Sequence, residues 1–176
     1  MMPEFSRIVA LARLPEGGRE ERLEASAAEC AALARRFAIP AVNRLRAVLR
    51  LRPEPGGTVL AEGRIEAEVV QDCVVTLEPV VQQLTEAVAL RILPEGAAFS
   101  EDPEGLDEVA AEGDAVDLGE ALAEQLALAL DPYPRAPDAA IPPELDGATL
   151  EPEADMDDTA PERPNPFAAL SRLKRN

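Results

Sequence analysis

The stretch that decides the fold is residues 41–52, AVNRLRAVLRLR, in which polar and apolar side chains alternate almost without interruption. A period of two residues predicts a β-strand with one face in water and the other in a core. The side chains expected on the water face are Arg44, Arg46, Arg50 and Arg52. Those expected in the core are Leu45, Ala47, Leu49 and Leu51. The chain therefore contains a long, half-buried strand.

A second alternating run, residues 58–70, follows the turn-forming residues 53–57, PEPGG. Its charged face carries Glu62, Arg64, Glu66 and Glu68, and its apolar face carries Val59, Ala61, Ile65 and Val69. If the two strands pair as a hairpin, the predicted neighbours are Arg50 and Glu62, Arg46 and Glu66, and Arg44 and Glu68. These carboxylates would neutralise most of the arginine stripe. Direct RNA contact therefore stays open as the less favoured interpretation, through Arg44, Arg46, Arg50, Arg52 and Arg64.

The elements on either side of this hairpin predict an α+β fold. Further strands are expected at residues 5–11, 19–25 and 80–92. Ser26 and Glu29 have the spacing of a capping box and predict a helix that ends before Pro40. A second helix begins near Asp117 and carries a core-facing stripe of Leu118, Leu122, Leu126 and Leu130. The simplest assembly is an antiparallel β-sheet, a meander or partial barrel, with two packed helices.

The net charge of −17 is confined to the second half of the chain. Residues 1–93 carry a net charge of −1, residues 94–164 carry −19, and residues 165–176 carry +3. An acidic chain repels phosphate and suits basic protein partners better than nucleic acid. We predict an α+β domain at 1–135 with an acidic loop at 94–115, a disordered acidic linker at 136–164, and a short C-terminal helix at 165–176.

The C-terminal helix has the pattern of a docking element. Asn165 is a good N-cap and Pro166 suits the first helical position. Three apolar side chains then line one side, and basic side chains fill the last turn. The residues predicted to dock on a partner are Asn165, Pro166, Phe167, Leu170, Leu173, Lys174 and Arg175. The alternative is that this helix folds back onto its own domain.

The sequence offers little for catalysis, cofactors or metals. It contains no histidine, and Cys73 lacks the usual activating base. The two cysteines, Cys30 and Cys73, are expected to be reduced, and the acidic clusters lack the spacing of a calcium loop. No signal peptide and no apolar run long enough to span a bilayer are recognisable. We therefore expect a cytoplasmic protein that is not an enzyme, has no cofactor or metal, and does not contact membranes.

Three blocks of sequence together resemble a known family. They are residues 66–79 with the central CVVTLEP, residues 116–134 ending in DPYP, and residues 165–175. In this order they resemble the large ribosomal RNA subunit accumulation proteins, the YceD-like family. The resemblance implies a non-enzymatic ribosome biogenesis factor that supports accumulation of large-subunit (23S) ribosomal RNA. Many relatives carry a Cys-x-x-Cys pair, whereas Thr76 here replaces the second cysteine, so any metal bound there by relatives is not expected.

The direct contacts of such a factor stay open. The leading hypothesis is a non-catalytic assembly factor that contacts ribosome assembly or rRNA-processing proteins. The alternative is an acidic, chaperone-like binding protein for a basic ribosomal protein, which would depend on residues 94–164. A third hypothesis, a hydrolase or nuclease that uses clustered carboxylates and a divalent ion, is the least favoured.

Overall fold

The structure is a computed structural model that describes residues 3–12 and 14–140. It contains two helices and seven strands in that part of the chain. The predicted helix at 165–176, and the predicted linker beyond residue 140, lie outside the described residues. The elements are β1 (Ile8–Ala10), β2 (Arg19–Glu24), α1 (Ala27–Phe37), β3 (Ala41–Pro53), β4 (Val59–Asp72), β5 (Pro79–Leu93), β6 (Asp107–Ala110), β7 (Ala115–Asp117) and α2 (Leu118–Ala129).

The main sheet has five strands in the order β2-β3-β4-β5-β6, and β1 pairs with β7 in a separate two-stranded sheet. The long β3–β4 hairpin has the predicted register, with Arg44 opposite Glu68, Arg46 opposite Glu66 and Arg50 opposite Glu62. The inward-facing side chains Leu45, Leu49 and Leu51 of β3 are completely buried. The predicted α+β class and the alternation of the hairpin are therefore confirmed, and the sheet is open.

The acidic loop predicted at residues 94–115 is wrong in part, because it contains β6 and the first residue of β7. The sheet is mostly antiparallel, as predicted, and it departs from a simple meander at one edge, where β6 pairs with β5 in parallel. The pairing is fixed by the packing of Val109 against the core and by a hydrogen bond from the Ala111 amide to the Leu93 carbonyl. A strand of four residues with so little apolar content depends on tertiary contacts, which its own pattern does not reveal.

The segment before β1 connects the starts of both helices. The Arg7 guanidinium donates to the two Glu29 carboxylate oxygens at 2.6 and 2.9 Å, and Glu29 completes the predicted capping box of α1. The Ser6 hydroxyl and the Arg7 amide donate to Asp117, at 2.6 and 2.7 Å. Asp117 also caps α2 by accepting from the Gly119 and Glu120 amides. Two helices 80 or more residues apart in sequence are thus joined through residues 6 and 7.

The second helix packs its leucine stripe against the core as predicted. Leu118, Leu122 and Leu126 are completely buried, and Leu130 is half-buried against the same cluster. The core lies between the inner face of the main sheet and the two helices. No helix of the described part is both long enough and apolar enough to cross a bilayer.

The close approach of β3 and β4 at Gly63 gives a stability prediction. A Cβ atom at Gly63 would lie 1.9 Å from the Val48 carbonyl oxygen, which is backbone and cannot rotate away. We expect Gly63→Ala to lower the free energy of unfolding by about 1–3 kcal/mol, measured by urea denaturation. Gly17→Ala is the matched control, because nothing lies within 4 Å of its Cβ position. Equal stability of the two variants would contradict the close approach.

The Arg7–Glu29 pair predicts an acid-sensitive fold. The hydrogen bonds from Arg7, with those of Ser26, lower the pKa of Glu29 from 4.5 to about 2. Because the folded-state pKa is depressed, this stabilisation is fully present above about pH 4.5 and is lost as the pH falls toward 2. Glu29→Gln should flatten the fall in unfolding free energy across that range. Glu86→Gln, which changes an exposed side chain of β5, should not change it.

Candidate functional site: the Cys73 turn and the charged sheet face

The charged face is the solvent side of β2, β3 and β4. The five arginines considered for RNA contact all lie on it: Arg44, Arg46, Arg50, Arg52 and Arg64. Arg22 of β2 joins them, because it lies opposite Val48, which in turn lies opposite Arg64. A shallow depression of about 320 Å³ surrounds Val48 and is lined by Arg22, Arg46 and Arg64. The register therefore brings the predicted arginines onto one surface.

Most of these arginines bind carboxylates, although not always those directly opposite. Arg64 pairs with Glu66 of its own strand at 2.9 Å, and Arg46 pairs with Glu24 of β2 at 3.5 Å. Arg52 forms an ion pair with Glu62, the residue that lies opposite Arg50 in the register. The predicted cross-strand neighbours are confirmed, but they do not form the ion pairs. Arg46 pairs with Glu24, which faces it on β2, and Arg52 reaches diagonally to Glu62.

Of the five arginines considered for RNA contact, two form no ion pair with a carboxylate of the part of the chain that the structure describes. Arg50 donates to the Gly17 carbonyl at 2.6 Å. Arg44 leaves its buried Nε without a partner, and its predicted neighbour Glu68 accepts from Asn43 and Gln83 instead. These amide hydrogen bonds, with the nearby Arg44 charge, lower the pKa of Glu68. A phosphate at this face would compete with carboxylates for Arg46, Arg52 and Arg64.

The Cys73 turn, residues 73–78, connects β4 to β5 and is held by its own sulfur. Cys73 is fully buried, and its Sγ accepts from the Val75 and Thr76 amides, both at 3.4 Å. The turn closes with hydrogen bonds from the Cys73 amide to Glu78 and from the Leu77 amide to Cys73. The Glu78 amide donates to the Thr76 hydroxyl. Every one of these contacts fixes the backbone of the turn.

The same sulfur joins this turn to the segment that follows α2. The Ala136 amide donates to the Cys73 Sγ at 3.3 Å, across 63 positions of sequence. The Val74 amide donates to the Pro134 carbonyl at 2.8 Å, and the buried Gln71 side chain donates to the Asp131 carbonyl at 2.9 Å. Two of the three blocks singled out in the sequence, CVVTLEP and DPYP, are therefore adjacent in space.

The hydrogen bonds around the sulfur favour the thiolate. The Thr76 hydroxyl, then the Ala136 and Thr76 amides, lower the pKa of Cys73 from 9.0 to about 7, against the opposing effect of desolvation. Cys30, on the buried face of α1, shows the reverse, because burial without comparable donors raises its thiol pKa. A thiolate at Cys73 would strengthen the hydrogen bonds from backbone amides of two separate segments, and so would hold those segments together.

The Cys73 turn does not fit a bound metal. A structural zinc site needs four donors such as thiolates or imidazoles. Here the position of a second cysteine is Thr76, and three amides already point at the single sulfur. Within residues 3–12 and 14–140, no group of three or more Cys, Asp, Glu or His side chains is placed to hold a metal ion.

The exposed apolar side chains beside the Cys73 turn were not predicted as site residues. Leu77 is 77 % exposed, Tyr133 is 72 % exposed and Val74 is 46 % exposed. Leu77 also has a positive φ of 60°. The motif CVVTLEP marked this region in the sequence, but apolar residues in a motif are usually assigned to the core. The docking residues predicted in the tail, at 165–175, lie outside the described residues.

The fold and the site together define an α+β protein in which a sulfur-locked turn at one end of an open sheet meets the segment after the second helix. A family model described as "Large ribosomal RNA subunit accumulation protein YceD" matches residues 61–174. Because the match covers well over half of the chain, the chain belongs to the YceD family. No curated protein and no solved structure was found to match it.

The matched range separates the two surfaces. It contains the whole Cys73 turn and the segment after α2. It contains only Arg64 of the five arginines considered for RNA contact, because β3 lies before residue 61. The Cys73 turn is therefore the better candidate for a site common to the family.

The hydrogen bonds to the Cys73 sulfur predict that the stability of the fold depends on pH. Because the folded-state pKa of Cys73 is lowered, the thiolate contributes fully above about pH 9, and its contribution is lost as the pH falls through about 7. The difference in unfolding free energy between wild type and Cys73→Ala should therefore widen from about pH 6 to about pH 9. Cys30→Ala should show no such widening, because the Cys30 pKa shifts in the opposite direction. A constant difference for Cys73→Ala would exclude a thiolate lock.

Proposed function

We propose that the protein is a cytoplasmic, non-catalytic ribosome biogenesis factor. It supports accumulation or processing of large-subunit (23S) ribosomal RNA through contacts with ribosome assembly or rRNA-processing proteins. The observation that carries the proposal is the match of residues 61–174 to the YceD family, within which the two spatially adjacent blocks form a defined surface.

Protein contact is favoured over RNA contact by the charges. The outward arginines of β3 and β4 are largely taken up by Glu24, Glu62 and Glu66, and a phosphate backbone would have to displace them. The net charge of −17 adds a long-range repulsion of nucleic acid. RNA contact through the charged face is the less favoured of the two kinds of contact. Its best candidates are Arg50 and Arg44, which have no carboxylate partner among the described residues.

An alternative role is an acidic, chaperone-like binding protein for a basic ribosomal protein. It is favoured by the exposed carboxylates between β5 and β6, where residues 95–107 carry five acidic side chains and no basic one. Such a segment attracts a cationic partner and screens it from RNA. In this role the acidic region itself is the binding surface.

The test combines complementation with affinity capture. A strain lacking the gene should accumulate less 23S ribosomal RNA, and the full-length protein should restore it. The truncation ending at Glu162, which removes the predicted docking residues, should fail to restore it. In native lysate, the full-length protein should retain a defined protein after RNase treatment. Normal 23S ribosomal RNA in the deletion strain would refute the proposed function.

The same capture experiment separates the contacts. Neutralising the five carboxylates at residues 95–107 should abolish a stoichiometric complex only if the protein acts as an acidic chaperone. Replacing Arg44 and Arg50 by Gln should matter only for an RNA contact, whose affinity falls steeply with salt. Loss of the captured material on RNase treatment would move the binding surface to the charged face.

A further inference from the structure

Three exposed apolar side chains, Val74, Leu77 and Tyr133, lie on the Cys73 turn and on the segment hydrogen-bonded to it, and together they are called the apolar patch. Tyr133 belongs to the segment after α2, and it is brought beside the turn by the hydrogen bond from the Val74 amide to the Pro134 carbonyl. Leu77 and Tyr133 are 77 % and 72 % exposed, among the most exposed large apolar side chains in the described part of the chain. Tyrosine is one of the residue types enriched among the side chains that carry most of the binding energy at interfaces, and an exposed leucine beside it adds apolar area.

Leu77 is unfavourable in this structure for two separate reasons. Its φ of 60° lies in the left-handed region, where a β-carbon is strained and glycine is not. Its side chain also stands in solvent rather than packing against the domain. Glycine at this position would remove both penalties. A backbone outlier combined with an exposed apolar side chain points to a use outside the domain itself.

The patch is held rigid by the hydrogen bonds of the Cys73 turn. The Cys73 sulfur accepts from three backbone amides, one of them Ala136, and so fixes the turn against the segment after α2. The Tyr133 amide donates to the Asp131 carboxylate at 2.8 Å and orders the backbone next to the aromatic ring. A surface that is ordered before binding loses little conformational entropy when a partner arrives.

The charges around the patch are mainly negative. Asp72 and Glu78 flank the turn, Asp131 precedes Tyr133, and all three are exposed. Arg135 is the single cation in these segments. Asp72 and Glu78 form no ion pair with another residue of the described chain. An apolar centre with an acidic rim complements a basic, amphipathic partner and repels phosphate.

We propose that the apolar patch binds a basic protein segment, one that places apolar side chains on Val74, Leu77 and Tyr133 while its lysines or arginines meet Asp72 and Glu78. The inference rests on the proposed function, because it names the surface and the partner chemistry through which an assembly factor of this kind acts. The lysine- and arginine-rich segments of large-subunit ribosomal proteins have the required chemistry.

The test uses the full-length protein and two purified probes. These are the total proteins extracted from large ribosomal subunits of the same cells, and protein-free 23S ribosomal RNA. The immobilised protein should retain one or a few basic proteins from the first probe, identified by mass spectrometry. Calorimetry with each retained protein then gives a dissociation constant. Retention of the RNA alone would overturn the proposal.

Leu77→Gly is the decisive variant, because it should separate binding from folding. We expect it to weaken binding of the retained protein about tenfold or more, with a melting temperature no lower than that of wild type. Tyr133→Ala should weaken binding by a similar factor. Ile8→Thr is the matched control, because Ile8 is 68 % exposed but lies beside the start of α2, and its affinity should stay within about twofold of wild type.

The carboxylates of Asp72 and Glu78 allow an independent test of the same proposal. Asp72→Asn combined with Glu78→Gln should weaken binding and reduce its dependence on salt, because two charge contacts are removed. Unchanged affinity in Leu77→Gly and Tyr133→Ala would overturn the proposal. So would full restoration of 23S ribosomal RNA by Leu77→Gly in the deletion strain. Restoration by Leu77→Gly would overturn the binding proposal but leave the proposed function unaffected. Normal 23S ribosomal RNA in the deletion strain would refute the proposed function, but it would not affect the binding measured with purified protein.

Discussion

The register between β3 and β4 is the constraint on which the rest of the structure depends. Apolar side chains at every second position of both strands fill the core, and the intervening positions carry the charges. A slip of one residue would turn every arginine of β3 into the core, where unpaired charges are strongly unfavourable. The correct register therefore creates the core and the charged face together. It also gives α2 the apolar surface on which Leu122 and Leu126 pack.

The same register sets the geometry of the Cys73 turn. Cys73 continues the inward-facing series of β4 that includes Val69 and Gln71, so its sulfur turns toward the interior at the point where the strand ends. The segment after α2 passes this point, because α2 runs along the inner side of the sheet from its cap at Asp117. Amides from both segments can then meet a single sulfur. The sulfur that closes the local turn thus also connects it to a segment 63 positions away in the sequence.

The sequence was sufficient where a pattern repeats over many residues, and insufficient where distant segments meet. The alternation of β3 and β4, the capping box at Ser26 and the leucine stripe of α2 each have a local physical cause, and each was predicted. The parallel pairing of β6 depends on its contact with the core, which four residues cannot encode. The contact of Cys73 with Ala136 spans 63 positions and leaves no periodic signal. The exposure of Leu77 was missed because hydrophobicity alone predicts burial.

A protein that acts by binding is selective only if its surfaces differ in what they accept. On the charged face, opposite charges alternate at close range, so the potential at a distance is weak and no single class of partner is strongly attracted. At the Cys73 turn, apolar side chains are displayed on a backbone held by several hydrogen bonds, and most of the surrounding charges are negative. Long-range repulsion by the net charge of −17 disfavours nucleic acid at both places. The apolar side chains then add affinity only for a partner that can exclude water from Leu77 and Tyr133. A basic protein segment with its own apolar side chains meets this requirement, whereas a small cation attracted by the negative charge alone does not.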